Sequence, residues 1–321
     1  MISLPQILDS LRVIQLPLRT RFRGITVREV ALFEGESGWG EFSPFLEYGD
    51  AESVPWLRSG IEAASNNEFP RHRDAIEVNG TIPDTNNERE IEELIAKFDG
   101  VGTYKVKVGS DLASDLSRLA RVRKFAPSAK LRVDVNGAWS VNEAKLNIRA
   151  MYEEFGPHLE YIEQPVASLV ELKELKQELG IDIKIAVDEL LRKSNEPMAL
   201  DLKDAADILI LKVAPLGGIT RCLEIVDKYK LPAVVSSALD SALGISHGLR
   251  LAAALPHLNY ASGLATGALF TEDLGEHKIK AGRIEVSSPT IEPAQLEKLQ
   301  APKERIEWWR NRIERVWELA K

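Results

Sequence analysis

Five short apolar segments between positions 103 and 213, residues 104–108, 131–136, 161–165, 183–189 and 208–212, each end in ionisable side chains where a purely structural strand would carry none. In order they present Lys107, Asp134, Glu163, Asp188 and Lys212, at intervals of 27, 29, 25 and 24 residues. Each interval is about the length of one strand, one helix and two loops, the repeating unit of a parallel α/β barrel.

Successive side chains on a strand point to opposite faces. Within 131–136, Leu131, Val133 and Val135 therefore share one face while Arg132, Asp134 and Asn136 share the other. The same parity groups Lys105 with Lys107, and Ile208 and Ile210 with Lys212. One face of each strand turns polar at its C-terminal end, which in a (β/α)8 barrel is the mouth where active sites are built. A single Asp or Lys there is ordinarily a solvated loop residue or a helix cap. Five at one mouth are not, because buried charges are costly unless paired or bound to a metal.

Three carboxylates from neighbouring strands, with no His or Cys at equivalent positions, form an all-oxygen set suited to a hard divalent cation such as Mg²⁺. Zinc is disfavoured, since the chain has one Cys and five His and none shows ligand spacing. Lys107 and Lys212 fall on roughly opposite walls of the mouth. A lysine that is partly desolvated beside another cation, here Lys105, has a lowered pKa and can act as a base near neutral pH. A metal next to such a base suits removal of the weakly acidic proton beside a carboxylate, because the cation stabilises the charge that develops on the enediolate oxygens.

The stretches Lys105-Val-Lys107, Asp134-Val-Asn136-Gly-Ala-Trp139, Ile162-Glu163-Gln164-Pro165, Val187-Asp188-Glu189, Ile210-Leu-Lys212-Val-Ala-Pro-Leu-Gly-Gly218 and Ser236-Ser237-Ala-Leu-Asp240-Ser-Ala-Leu-Gly244 resemble the enolase superfamily, in its muconate-lactonizing-type subgroup. The resemblance implies a (β/α)7β modified TIM barrel with an α+β capping domain formed by the N-terminal region and the C-terminal segment. It implies Asp134, Glu163 and Asp188 as Mg²⁺ ligands, with Mn²⁺ able to substitute, Lys107 as the base, and Lys212 on the other side of the intermediate. Lys105, Asn136, Gln164 and Glu189 would support them, and Arg21, Phe22, Phe45, Ser236, Ser237, Gly263 and Leu264 would contact a small anionic carboxylate substrate. Within the subgroup the best match is the branch that dehydrates a succinyl-substituted hydroxycyclohexadiene carboxylate, with N-succinyl and N-acylamino acid racemases and muconate-type cycloisomerases as relatives sharing both lysines. A catalytically inert ligand-binding barrel is the rival from another class, disfavoured because all five charged residues are retained. Mandelate-racemase-type members place a His at the seventh strand end, where this chain has Ser236-Ser237-Ala238-Leu239; dipeptide epimerases carry Asp-x-Asp after the eighth strand, where it has Gly263-Leu264-Ala265. The second difference removes an ammonium partner and favours a substrate without a free amine; the first sets the chain apart from the mandelate-racemase type.

A chain of 321 residues accommodates such a barrel plus a smaller domain. We expect a capping domain over 1–75, the barrel over 76–270 and a segment 271–321 that returns to the cap. In the first part, 11–17, 26–33 and 38–42 read as strands and 51–64 as a helix opened by Asp50. Residues 19–24, alternating cations with an aromatic, read as a loop, and 42–49 as a second loop that exposes several aromatics. At the far end, 293–299 and 303–319 read as helices, with Trp308, Trp309 and Trp317 as anchors. The net charge of −8 argues against nucleic-acid partners, and no apolar run reaches the roughly 18 residues that span a bilayer. The lone Cys222, in a helical pattern, fits a reducing cytoplasm. Oligomeric state is open, a monomer being compatible.

Overall fold

The computed structural model describes residues 2–66, 68–109 and 111–321. Near the N-terminus, Arg12–Phe22, Ile25–Gly35 and Gly38–Phe42 form a three-stranded antiparallel meander, preceded by the helix Leu4–Ser10 and followed by the helix Asp50–Ser65. The first strand runs through Phe22, so Arg19 and Arg21 lie on an extended strand and not in a loop, although its register with the second strand shifts between Pro17 and Phe22. Alternation of charged and apolar residues is as much a strand pattern as a loop pattern, and here pairing of Phe22 with Ile25 decides it. The reversal is confined to Arg23 and Gly24, both with positive φ (+49° and +80°), the geometry of a two-residue hairpin turn. Gly49, not Asp50, caps the following helix, and Asp50 lies in its first turn, where a carboxylate favours the helix dipole.

The second loop also differs from expectation. Phe42, Phe45 and Tyr48 are buried, not exposed. The guanidinium carbons of both Arg23 and Arg28 lie over the Phe45 ring, 4.2 and 4.1 Å from its centroid, so cation–π contact accounts for an aromatic that the sequence pattern left unpartnered. The C-terminal helix Lys303–Ala320 packs against Asp50–Ser65 and Arg12–Phe22. Trp309 is fully buried there, edge-on to Phe42, and its indole N–H donates to Glu29 Oε2 at 2.8 Å.

The larger unit is a parallel sheet in which Gly80–Ile82, Thr103–Lys107, Lys130–Asp134, Leu159–Glu163, Lys184–Val187, Ile208–Lys212 and Ala233–Ser236 lie side by side in chain order. Its two edges meet through Ser262 and Gly263: Asn79 N–H donates to Ser262 O (2.9 Å), Ser262 N–H to Glu77 O (2.7 Å) and Gly263 N–H to Val235 O (2.8 Å). The sheet thus curls into a modified TIM barrel, with the meander as a separate unit. Helices such as Leu112–Phe125, Val141–Phe155, Leu169–Glu178, Ile219–Tyr229 and Ala242–Ala254 connect the strands. Two of them open with reciprocal capping boxes, Ser140 with Glu143 and Ser168 with Glu171, which satisfy donors at the helix start.

Strand parity sorts the apolar residues into two cores. Val106, Val133, Ile162, Ile185, Leu209 and Val235 join the main core, whereas Tyr161, Ala186, Ile208, Ile210 and Val234 form a separate cluster with Tyr260 on the opposite strand face. Arg132 is buried with this second group, 4.9 Å from the Tyr161 ring, donating to Glu160 Oε2 (2.6 Å), Asn79 Oδ1 (2.9 Å) and Ala261 O (2.6 Å). The charged strand ends lie beyond this filled interior.

Candidate active site

Register brings the charged residues to one level. Lys107 is the partner of Asp134 and Asp134 of Glu163, while on the other side of the barrel Lys212 pairs with Ser236. Just past two of these strand ends the chain turns through left-handed residues, Asn136 (φ +53°) and Gln164 (φ +40°).

The carboxylates are buried and each meets at least one ammonium. Lys105 Nζ donates to Glu163 Oε1 (2.8 Å) and lies 3.1 Å from Asp134 Oδ2, Lys107 Nζ donates to Asp134 Oδ2 (2.6 Å) and Asn136 Oδ1 (2.7 Å), and Lys212 Nζ donates to Asp188 Oδ2. Burial works against the charge on Asp134, but Lys105, Lys107 and Lys212 hold its pKa far below the usual range. Asp188 is likewise held down, against burial, by Lys212 and Arg192. Glu163 goes the other way: burial, then Asp134, push it up to about 7 despite Lys105. Lys105 is raised well above normal because Asp134 and Glu163 outweigh burial. Lys107 is lowered, first by burial and then by Lys105 and Lys212, with Asp134 opposing. Low pKa is what a lysine base needs near neutral pH.

The other predicted residues divide clearly. Gln164 is fully buried, and its Oε1 accepts the backbone N–H groups of Asp188 (3.1 Å) and Leu190 (3.3 Å), which orients the Asp188 strand end. Asn136 bridges Lys107 to Glu189, donating from Nδ2 to Glu189 Oε1 at 3.0 Å. Phe22, Ser236, Ser237 and Gly263 line the small cavity, about 40 Å³, at the strand ends, together with Lys105, Lys107, Asp134 and Lys212. Three of the expected substrate contacts do not line it. Arg21 is exposed on its strand, Phe45 lies against two arginines, and Leu264 faces the helix Ala242–Ala254, where a side chain at Gly248 would meet its Cδ2 at 2.7 Å. A larger cavity, about 790 Å³, lies beyond the 265–268 turn and contains none of the charged strand ends.

Of the three arginines in residues 19–24 that the sequence offers to an anionic substrate, Arg19, Arg21 and Arg23, only Arg23 lines the small cavity, and Arg192 and Thr266, which the sequence reading missed, line it too. Arg192 Nε donates to Asp188 Oδ1 at 3.2 Å, and the two are four residues apart, a helical spacing that was open to inspection in the sequence. Arg23 follows the Arg21-Phe22 pair that was singled out; which of the three arginines turns inward depends on where the hairpin reverses. Thr266, hydrogen-bonded to Ser237 Oγ at 2.7 Å, carried no signal.

Among the described residues no three acidic, His or Cys side chains converge closely enough to grip an ion as they stand, and Lys105, Lys107 and Lys212 each contact one of the carboxylates. The donor set nevertheless fits a hard divalent cation: it is all oxygen, buried, and carries three carboxyl groups, one of which burial and then the neighbouring Asp134 drive up to about 7. With that cation bound, the site could polarise a substrate carboxylate while Lys107 and Lys212 reach it from two sides.

Residues 13–64 match the family model described as enolase N-terminal domain-like, and residues 88–293 match enolase C-terminal domain-like. The chain is 47% identical over 320 residues to the o-succinylbenzoate synthase of Mycobacterium tuberculosis H37Rv, covering 98% of this chain and 96% of that protein. It is also 47% identical over 321 residues to the o-succinylbenzoate synthase of Mycobacterium ulcerans, covering 99% and 96%. Its fold resembles muconate lactonizing enzyme from Pseudomonas fluorescens, with a TM-score of 0.77 at 20% identity over 91% of this chain and 98% of that one. With both family models matched in order and the second spanning every charged strand end, the chain belongs to the enolase superfamily.

Proposed function

We propose that this protein is a Mg²⁺-dependent carbon–oxygen lyase that dehydrates 2-succinyl-6-hydroxy-2,4-cyclohexadiene-1-carboxylate to 2-succinylbenzoate, a step of menaquinone biosynthesis. The observation that carries the reading is Lys107 and Lys212 on opposite walls of one buried carboxylate site, in a chain similar over nearly its whole length to o-succinylbenzoate synthases. Asp134, Glu163 and Asp188 would hold Mg²⁺, or Mn²⁺ in its place, and the bound cation would supply charge stabilisation for the substrate carboxylate.

The chain's own residues do the rest. Lys107, neutral at the start, takes the α proton at Nζ, and the electron pair left behind forms the enediolate. Lys212 remains an ammonium and balances that charge from the far side. Lys107 then returns the proton to the departing hydroxyl on the same face; the carbon–oxygen bond breaks, water leaves and the ring becomes aromatic. Ser236, Ser237, Gly263 and Phe22 shape the pocket, and Arg23 closes it over the anionic substrate. The division into a cap over 1–75, a barrel over 76–270 and a returning segment 271–321 belongs to the same reading. So does a cytoplasmic location, which fits the single, buried Cys222 and the absence among the described residues of any helix long and apolar enough to cross a membrane.

The test is direct: purified protein with Mg²⁺ and the cyclohexadiene substrate should yield the aromatic product, followed by ultraviolet absorbance. Absence of dehydration sinks the reading. A second activity, racemisation of N-succinyl or N-acyl amino acids, is favoured by one feature only, two lysines able to act as bases on opposite faces.

A further inference from the structure

The wall of the mouth after the seventh strand, Ser236 to Leu239, is held from outside the barrel by two residues that do not themselves line the cavity. Glu41, buried in the capping strand Gly38–Phe42, accepts hydrogen bonds from Ser241 Oγ (2.5 Å), Gly244 N–H (3.0 Å), Ser241 N–H (3.4 Å) and, within its own unit, Ser43 Oγ (2.5 Å). Ser241 is the N-cap of the helix Ala242–Ala254, so this carboxylate from the cap sits on the N-terminus of a barrel helix that begins where the mouth wall ends. Arg28, also buried and in the neighbouring capping strand, donates from Nε to Leu239 O at 3.2 Å and from Nη2 to Ser43 O.

Two further features show that the wall is built around this clamp. Leu239 has φ +62°, a left-handed conformation that a leucine adopts only when its surroundings impose it, and its carbonyl is the one Arg28 holds. At Gly244 a Cβ would stand 2.8 Å from Glu41 Oε2 and 2.6 Å from Asp240 Cβ, so only glycine lets the carboxylate approach.

We propose that Glu41 and Arg28 are positioning residues for the substrate: they set the place of Ser236, Ser237, Ala238 and Leu239, and through it the fit of the succinyl-bearing ring, without touching the reacting atoms. This rests on the proposed function. Removing Glu41 leaves buried donors on Ser241 and Gly244 unpaired, and the wall shifts to satisfy them.

Hydrogen–deuterium exchange and steady-state kinetics on Glu41→Gln and Ser241→Ala test it together. The expected result is faster exchange confined to 236–244 with exchange unchanged at Lys130–Asp134, and a KM raised about tenfold with kcat within about threefold. Metal affinity by calorimetry should match the wild type. Unchanged exchange at 236–244, or a fall in kcat at unaltered KM, overturns the proposal. Ser241→Ala leaves Glu41 in place, so it decides the matter should the Gln variant be recovered unfolded. The exchange readout needs no substrate; a wild type that does not dehydrate the cyclohexadiene would overturn the proposed function and leave this part to be judged on exchange alone.

Discussion

Lys107 and Asp134 are register partners on neighbouring strands, and the ammonium of one donates to the carboxylate of the other at 2.6 Å. The proposed base is therefore paired with a proposed metal ligand, and its basicity depends on whether Asp134 is otherwise engaged. Burial, Lys105 and Lys212 already lower its pKa, with Asp134 as the opposing charge.

The lysines should be separable by substitution. Lys107→Ala is expected to lose dehydration by a factor of about 10³ or more, as it removes the only group assigned to carry the proton. Lys212→Ala should lose about 10²–10³ through missing charge stabilisation. Circular dichroism should be unchanged in both. With an N-succinyl amino acid in deuterium oxide, a racemase would exchange the α proton of both enantiomers, each variant keeping one. Rapid racemisation with negligible dehydration would overturn the lyase reading and keep the lysines.

Metal removal should abolish turnover, with Mg²⁺ restoring it and Mn²⁺ substituting. Glu163→Gln is expected to weaken metal binding in a calorimetric titration while far-ultraviolet circular dichroism is retained. Full activity after exhaustive chelation would remove the metal from the mechanism.

Among the arginines near the first hairpin, Arg23 lines the cavity and donates to Tyr48 Oη at 3.1 Å, whereas Arg21 is exposed and does not line it. Arg23→Ala should raise KM several-fold and make it less sensitive to salt. Arg21→Ala should change KM little. Equal effects from the two would show that the turn does not present Arg23 to the substrate.

Stability should carry the signature of Asp240. Burial, then the neighbouring Glu41, push its pKa up to about 7. The unfolded carboxyl releases its proton near pH 4, so between about pH 4 and 7 the folded state holds more protons and stability falls as pH rises, by roughly 1.4 kcal/mol per unit at most. Asp240→Asn should flatten that decline in urea titrations at pH 5 and pH 8. An identical slope in the variant would refute the assignment.

The helices at 293–299 and 303–319 and the Lys-Asp-Glu-Asp-Lys series were legible in the sequence because strand parity and helical period are properties of contiguous residues. Expectations failed where a side chain's environment comes from distant segments. Phe45 and Tyr48 read as exposed aromatics, yet Arg23 and Arg28 from the preceding hairpin cover Phe45. Leu264 sits in a stretch near the mouth, but packing against Gly248 turns it away.

The sequence by itself determined which residues carry charge, at what spacing, and on which strand face, since alternation along an extended chain leaves a side chain two choices. Tertiary structure alone decided which ammonium meets which carboxylate, that Arg23 and not Arg21 lines the cavity, and that Glu41 reaches Ser241 two hundred residues away. Such pairings depend on how the cap docks on the barrel, and hydrogen bonds a few ångströms long leave no periodic trace in a chain whose partners are so far apart.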